Sequence, residues 1–418
     1  MSDELKIDDI SFIIPSRNNL KYLKWCYDAI REVYPDVWVC YWDDFSDDGT
    51  WDWMQDRVKN DPKVKAERHD GPKREGHTIL YDRIAFELCE TKLGIIFHAD
   101  MHVLPNMLEN MLKHMKRKVI VSATRIEPPL HPDGPEKHLF DFGVEPETFK
   151  KKETIEFAEK LQVENKDKIT RGVFAPWMFY IDDFEKIGGH WEIYAPQSAE
   201  DSDAWNRLLL DGHEFIQARD SFVAHLTCRG SRRNPNLTNV TQDSPEWLEQ
   251  NVVSRRNFIR AWGTNTQNDA YIHPIVSHKY DIGFQIEMDV DDQTTFQLLG
   301  SLEPWCSTLA TDVSERNAAI IDHYQTQEQE NTKFDLNKRV VMGNAYNDVV
   351  IHFKASEMLQ NQQANFQFIQ QLPDILTDSG EVGEMEYGCF KIKIKDLTTY
   401  EKDLIVCKNT GWRRKNHK

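Results

Sequence analysis

The sequence predicts an α/β fold, with helices layered on a mostly parallel sheet and a second, smaller α/β or α+β domain behind it. Three observations lead there. Short apolar runs alternate with helix-period stretches through the first third of the chain. The 418 residues exceed the about 250–300 that one core usually serves. After Gly263-Thr264-Asn265 the texture changes, and strand-like runs flank a Gln/Glu-rich stretch. The expected domains are therefore residues 1–268 and 269–418.

Ile10 to Ile14 is an apolar run stopped by Pro15, which reads as a buried strand entering a loop. Leu20, Leu23, Tyr27 and Ile30 follow at helical spacing, and Pro35 ends that helix. Val37 to Trp42 is the second strand, and Asp43 to Asp48 with Gly49 is an acidic loop. Trp51, Met54 and Val58 mark a helix, as do Leu80, Ile84 and Leu88. Leu93 to Phe97 is strand-like, and Leu104, Leu108, Met111, Leu112 and Met115 suit the helix after it. In such sheets ligands sit beyond the carboxyl ends of the strands, so the loops after Ile14, Trp42 and Phe97 are the ones to inspect. Residues 127–170 are less periodic and read as an excursion over that face. Order returns with Phe174 to Ile181, then Gly188-Gly189, a helix carrying Trp205, Leu208 and Leu209, and a helix from Trp247 to Trp262. Beyond 275 the strand-like runs are Ile282–Ile286, Val349–Phe353, Phe390–Ile394 and Leu404–Cys407, with helix around 322–331.

Composition narrows the function classes. Hydrophobic residues make up 40 %, enough for packed cores, so global disorder is excluded. The formal charge of −18 disfavours nucleic-acid polymers and anionic membranes as main partners. No apolar run reaches the about 18 residues of a membrane span, and the start, Met1 to Lys6, is polar rather than signal-like. The seven cysteines are scattered and form no C-x-x-C pair, which fits a reducing cytoplasm. Asn236-Leu-Thr and Asn239-Val-Thr match the glycosylation pattern by chance in that setting, and Arg413-Arg-Lys reads as a solvated end.

The sequence contains no G-x-G-x-x-G, no P-loop and no H-E-x-x-H motif. Three segments carry polar chemistry instead. His98-Ala-Asp100-Met-His102 follows an apolar strand; if extended, its alternate residues share a face, where carboxylate and imidazole suit a divalent transition metal. Three solvated polar residues at a strand end is the equally available structural reading. His225, closing Ser221-Phe-Val-Ala-His, is a candidate further ligand or a satisfied edge histidine. Asp43-Asp44-Phe-Ser-Asp-Asp-Gly-Thr50 is either an acidic turn that caps a helix or a carboxylate contact for a nucleobase or ribose. Ser198-Ala-Glu200-Asp201 is either an acidic capping box or the seat of a general base.

In order, these pieces resemble the GT-A-fold glycosyltransferases, a Rossmann-like nucleotide-diphospho-sugar transferase fold, and family 2 in particular. The resemblance runs over about residues 8–262 and rests on Ser11-Phe-Ile-Ile-Pro-Ser-Arg-Asn18, the Asp43–Thr50 segment, Arg74-Glu-Gly76 before Asp82-Arg83, Phe97 to Pro105, Phe184 to Gly189, and Glu200-Asp-Ser-Asp-Ala-Trp205. Asp100-Met-His102 is similar to the D-x-H of the polypeptide N-acetylgalactosaminyltransferases, and Phe222-Val-Ala-His225 to the strand that completes their metal site.

The resemblance implies a glycosyltransferase, hexosyl or N-acetylhexosaminyl in type, that moves a sugar from a UDP-linked donor to a carbohydrate or other hydroxyl acceptor. It implies that Pro15, Ser16, Arg17, Asp43, Asp44 and Arg83 bind the nucleotide. Asp100, His102 and His225 hold Mn²⁺ or Mg²⁺, with His98, in place of the usual first aspartate, outside that triad. Asp201, or Glu200 as its alternate, removes the acceptor proton as the sugar inverts. A mechanism that followed the D-x-H group would retain configuration instead. The alternative is a non-catalytic nucleotide-sugar or carbohydrate-binding protein on the same scaffold. Residues 269–418 resemble nothing assignable and are expected to hold the acceptor or join subunits.

Overall fold

The computed structural model describes residues 4–227 and 243–409. The two Asn-x-Thr sites, Cys228 and the basic tail lie outside them. The chain forms two compact units: Met1–Gln250 with Asn268–Ile275 and Val406–Lys418, and Asn251–Gln267 with Val276–Ile405. The division falls inside a helix, and two later segments return to the first unit.

The strands of the first unit are β1 (Ile10–Ser16), β2 (Trp38–Asp43), β3 (Val64–Arg68), β4 (Leu93–Ile96), β5 (Met101–Val103), β6 (Val119–Glu127), β7 (Lys137–Leu139), β8 (Ile169–Thr170), β9 (Trp177–Tyr180) and β10 (Glu214–His225). Its helices are α1 (Leu20–Val33), α2 (Thr50–Asn60), α3 (His77–Arg83), α4 (Met107–Leu112), α5 (Lys151–Glu164), α6 (Ile181–Lys186) and α7 (Glu200–Leu210); α8 (Pro245–Trp262) crosses the division. The main sheet runs β3-β2-β1-β4-β9-β6-β10-β5. β1, β2, β3 and β4 are parallel, β9 lies antiparallel between β4 and β6, and β10 runs parallel to β6.

Local sequence explains the order. Ile10, Phe12, Ile13 and Ile14 are fully buried because both faces of β1 are covered. On α1, Leu23, Cys26, Tyr27 and Ile30 form the buried face that the spacing predicts. Several strands escaped the sequence reading, β3 and β6 among them. β3 (VKAER) is charged because its edge position leaves it half-solvated. β6 lay unread between the fourth helix and the irregular stretch. That stretch itself contains α5, whose Thr154, Ala158 and Leu161 are buried. Leu404–Cys407, expected as a strand, is instead a 3-10 turn and loop; the Cys407 N–H donates to Ile187 O rather than to a neighbouring strand.

The second unit has its own sheet, ordered β13-β12-β11-β14-β16-β15. These strands are β11 (Ile282–Glu287), β12 (Thr308–Thr311), β13 (Val340–Met342), β14 (Val349–Lys354), β15 (Gly383–Tyr387) and β16 (Phe390–Ile394). The first four are parallel, with an antiparallel hairpin at one edge, so the smaller domain is α/β. Its helices are α9 (Asp292–Leu302), α10 (Glu315–Glu328), α11 (Leu336–Arg339), α12 (Ala355–Gln360) and α13 (Gln362–Ser379). Gly283 lets the β13–β14 connection cross the sheet closely, since a Cβ there would lie 2.2 Å from Asn347. At the switch point between β11 and β14 the Ser356 N–H donates to Asp289 at 2.8 Å. Among the described residues no helix is long and apolar enough to cross a membrane.

Candidate active site

β4 ends at Ile96 and the chain turns back at once, with the Met101 N–H donating to His98 O at 3.1 Å. The segment is therefore not extended, and the alternation expected of His98, Asp100 and His102 does not hold. β5 pairs antiparallel with β10, matching Met101 to His225 and His102 to Ala224. Directly paired residues share a face and sequence neighbours do not, so His102 faces away from His225. The structure thus brings His98, Asp100 and His225 together, with one ligand atom from each all within 4.8 Å of one another. His102, expected in this set, instead packs its ring against Trp25 and Phe149 at 4.9 and 4.7 Å. Burial there pushes its pKa down to about 3.

The two histidines of the cluster differ in their electrostatics. Burial outweighs the pull of Asp100 and lowers the His98 pKa to about 4, which leaves a neutral ligand at neutral pH. Burial also disfavours charge on His225, but Asp100 and Glu127 outweigh it and raise the pKa to about 9. Glu127 accepts from His225 Nδ1 at 2.8 Å, and His225 Nε2 lies 3.5 Å from Asp100.

The nucleotide-side residues occupy the carboxyl ends of β1 and β2. Ser16 is buried with its Oγ unpartnered, and Pro15 precedes it. Asp43 is wholly buried: Oδ2 accepts from Ser46 N–H at 3.1 Å and lies 2.9 Å from Arg68 Nε, while Oδ1 has no partner. Burial raises its pKa. Asp44 is spent internally. It accepts from the Glu75 and Gly76 N–H groups at 2.9 and 3.1 Å, and it meets His69 at 2.7 Å. Asp44 therefore pins the 69–76 loop, and Asp43 offers the open oxygen. Arg17 donates to Asp44 O at 3.0 Å. Arg83 lies over the Trp42 ring at 5.1 Å and donates to Glu75 at 2.7 Å.

α7 begins at Glu200 with Ala199 at its N-cap, so Ser198 and Asp201 do not form a capping box. Glu200 is buried and paired with His77 at 2.8 Å. Burial would raise its pKa, but His77 outweighs that and lowers it. Asp201 keeps 31 % of its side chain exposed and lies 3.6 Å from His190 Nε2. His190 donates its backbone N–H to Asp82 at 2.8 Å and meets Asp82 through Nδ1 at 2.7 Å. Burial opposes its charge, yet Asp82 and Asp201 raise its pKa to about 10. The charge of Asp201 reaches His98, and those of Asp201, Glu200 and Asp100 reach the buried Tyr81, so the acidic motif and the histidine cluster lie near one another.

Residues 11–188 match the family model described as Glycosyl transferase family 2. This stretch is similar to the family 2 glycosyltransferases. No curated protein matches the chain. Among solved structures, one of GalNAc-T7 with UDP, GalNAc and Mn²⁺ is similar at 13 % identity and a TM-score of 0.41, over 60 % of this chain. The chain covers 48 % of that one, about half its length.

The family 2 stretch contains Pro15 to Asp100, His98 and His102, while Glu200, Asp201 and His225 lie beyond it. The main sheet is what joins them, because β10 returns beside β5. Sequence reasoning missed Glu127, His77, Tyr81, Asp82 and His190 as parts of this cleft. Two signals were available: Glu127 closes an apolar run from Val119, and His190 follows the Gly-Gly of the family pattern.

Proposed function

We propose that this chain transfers a sugar from a nucleotide-diphosphate donor, UDP-linked, to a hydroxyl acceptor, with a divalent cation and with inversion. The observation that carries the reading is the His98–Asp100–His225 cluster, facing the same cleft as Asp201 within a family 2 fold. The donor set fits a cation: two imidazoles and one carboxylate converge, and their composition favours Mn²⁺ over the all-oxygen preference of Mg²⁺. A cation bound there neutralises charge on the departing diphosphate.

The other roles follow from exposure and pairing. Asp43, with its open Oδ1, and Ser16, with its open Oγ, contact the base or ribose; Pro15, Arg17 and Arg83 line the same end. Asp201, partly open to solvent, takes the acceptor proton, while Glu200 is held by His77 and supports the start of α7. The calorimetric test titrates UDP with and without Mn²⁺. Cation-dependent binding that Asp100→Ala or His225→Ala abolishes is the expected result; equal binding in both variants defeats the metal reading. UDP release from individual UDP-sugars separates a transferase from a binding protein on the same scaffold.

A further inference from the structure

We propose that Glu127 is the positioning residue of the cation site, fixing the ring of His225 so that Nε2 faces the cation. The proposal rests on the cation reading above and adds a residue outside the ligand set.

β6 and β10 run parallel, but their register jumps from Ala218 opposite Ala123 to Phe222 opposite Thr124. Arg219, Asp220 and Ser221 are looped out of the ladder. The bulge is ordered: Asn110 donates to Asp220 O at 2.6 Å, Ser221 Oγ donates to Met107 O at 2.9 Å, and the Asp167 N–H donates to Asp220 at 2.9 Å. Its effect is on aim. Without the bulge, Phe222 would stand opposite Glu127 and His225 would overrun the end of β6. With it, Ala224 stands opposite Ile126, and the next residues, His225 and Glu127, come side by side.

Glu127 is built to stay ionised and still. It is 2 % exposed, and Lys137 donates to its Oε2 at 3.1 Å while Arg125 Nε lies 3.3 Å from Oε1. Oε1 takes the Nδ1–H of His225 at 2.8 Å. Because Nδ1 keeps its hydrogen for Glu127, Nε2 is the nitrogen that gives up its proton when a cation binds, and it is the atom nearer Asp100. A carboxylate behind a ligating histidine in this way typically contributes about 10–100-fold in metal affinity.

Mn²⁺ alone, followed by electron paramagnetic resonance, tests this on the full chain. Glu127→Ala should weaken Mn²⁺ binding about 10–100-fold. Glu127→Gln, which keeps an acceptor for Nδ1–H, should recover most of it. Glu303→Gln, which alters an equally buried carboxylate in the second unit, should leave Mn²⁺ binding unchanged. Parent-like binding by Glu127→Ala overturns the proposal, and so does an equal loss in Glu303→Gln. If Glu127→Ala fails to fold, the visible spectrum of Co²⁺ bound to Glu127→Gln decides: a shift from the parent spectrum supports the proposal, and an identical one overturns it. A parent protein that binds no Mn²⁺, or an Asp100→Ala variant that binds it normally, would instead defeat the cation reading itself.

Discussion

Replacing His98 by Ala should abolish most cation binding, whereas replacing His102 by Leu should leave it intact. The two residues are four apart in one short segment, and a sequence motif would favour His102. The geometry reverses the choice, because His98 is one of the three convergent ligands and His102 faces Trp25 and Phe149. A size can be put on the loss. Structural zinc sites with four ligands bind with about 10–16 kcal/mol, or about 3 kcal/mol per ligand. At about 1.4 kcal/mol per decade, losing His98 predicts roughly 100-fold weaker binding. For His102 the swap is nearly volume-conserving and removes a buried Nδ1 that has no hydrogen-bond partner, so stability should change by less than about 1.5 kcal/mol. Mn²⁺ titration of both variants at fixed UDP, with thermal melts to confirm folding, gives the answer. Normal Mn²⁺ binding by the His98 variant together with a large loss in the His102 variant would refute the reasoning.

Asp201→Asn should retain Mn²⁺-dependent UDP binding in calorimetry and lose transfer by about 10²–10⁴-fold, as removal of a general base does; full transfer would return Asp201 to a helix-dipole role. In the second unit Glu303 is fully buried and receives Arg260 and Arg339, so Glu303→Ala takes that carboxylate from the buried Arg339, while Arg260 keeps Glu328, and should cost about 3–5 kcal/mol in urea denaturation. Burial opposes ionisation of Glu303, but Arg339 and Arg260 hold its pKa at about 2, below the ordinary 4.5. Its contribution is therefore complete above pH 4.5 and fades as pH falls toward about 2, and acid melts of the parent and the Glu303→Gln variant should converge over that window. Gly76→Ala should destabilise the 69–76 loop and weaken UDP binding, because Gly76 has φ +80° and its Cβ would lie 2.0 Å from Pro196 O; unchanged UDP affinity would contradict that.

The legible parts of the fold were those where one residue's neighbours decide its environment. Ile10–Ile14 and Leu93–Phe97 are apolar on both faces, so their burial shows without any partner. β3 and β6 were harder. β3 is an edge strand whose charges reach water, and β6 draws its meaning from β10, nearly a hundred residues on in the chain. The site divides in the same way. Asp43, Asp100 and Asp201 sit at strand ends or a helix start, which local sequence can indicate. The choice between His98 and His102 depends on a turn at Asp100 and on the register of β5 against β10, and neither is written in the spacing of the segment. Glu127 needed the three-residue bulge as well.

A net charge of −18, with Asp43, Asp44, Asp100, Glu200 and Asp201 near one another, would by itself repel a diphosphate. The pairing within the cleft changes that inference. Asp43 faces Arg68, Asp44 faces Arg74, and Glu127 faces Lys137 and Arg125. His190, with a pKa near 10, stays protonated at neutral pH and so lies as a cation between Asp82 and Asp201. Over the few ångströms that matter for a bound phosphate, these compensated pairs contribute far less than the sum of their acids, because opposite charges in contact cancel at a distance. His98 fits the same economy: a neutral imidazole stands where the family usually has a carboxylate, which removes one negative charge from the cation's immediate surroundings. The cation's charge is then less consumed by its protein ligands, and more of it is left for the diphosphate. His98→Asp should accordingly raise affinity for Mn²⁺ alone while narrowing the gain in UDP affinity that Mn²⁺ brings, and calorimetric titrations of each ligand in the presence and absence of the other would measure both. A His98→Asp variant in which Mn²⁺ enhances UDP binding more than in the parent would show that the charge left on the cation does not govern donor binding.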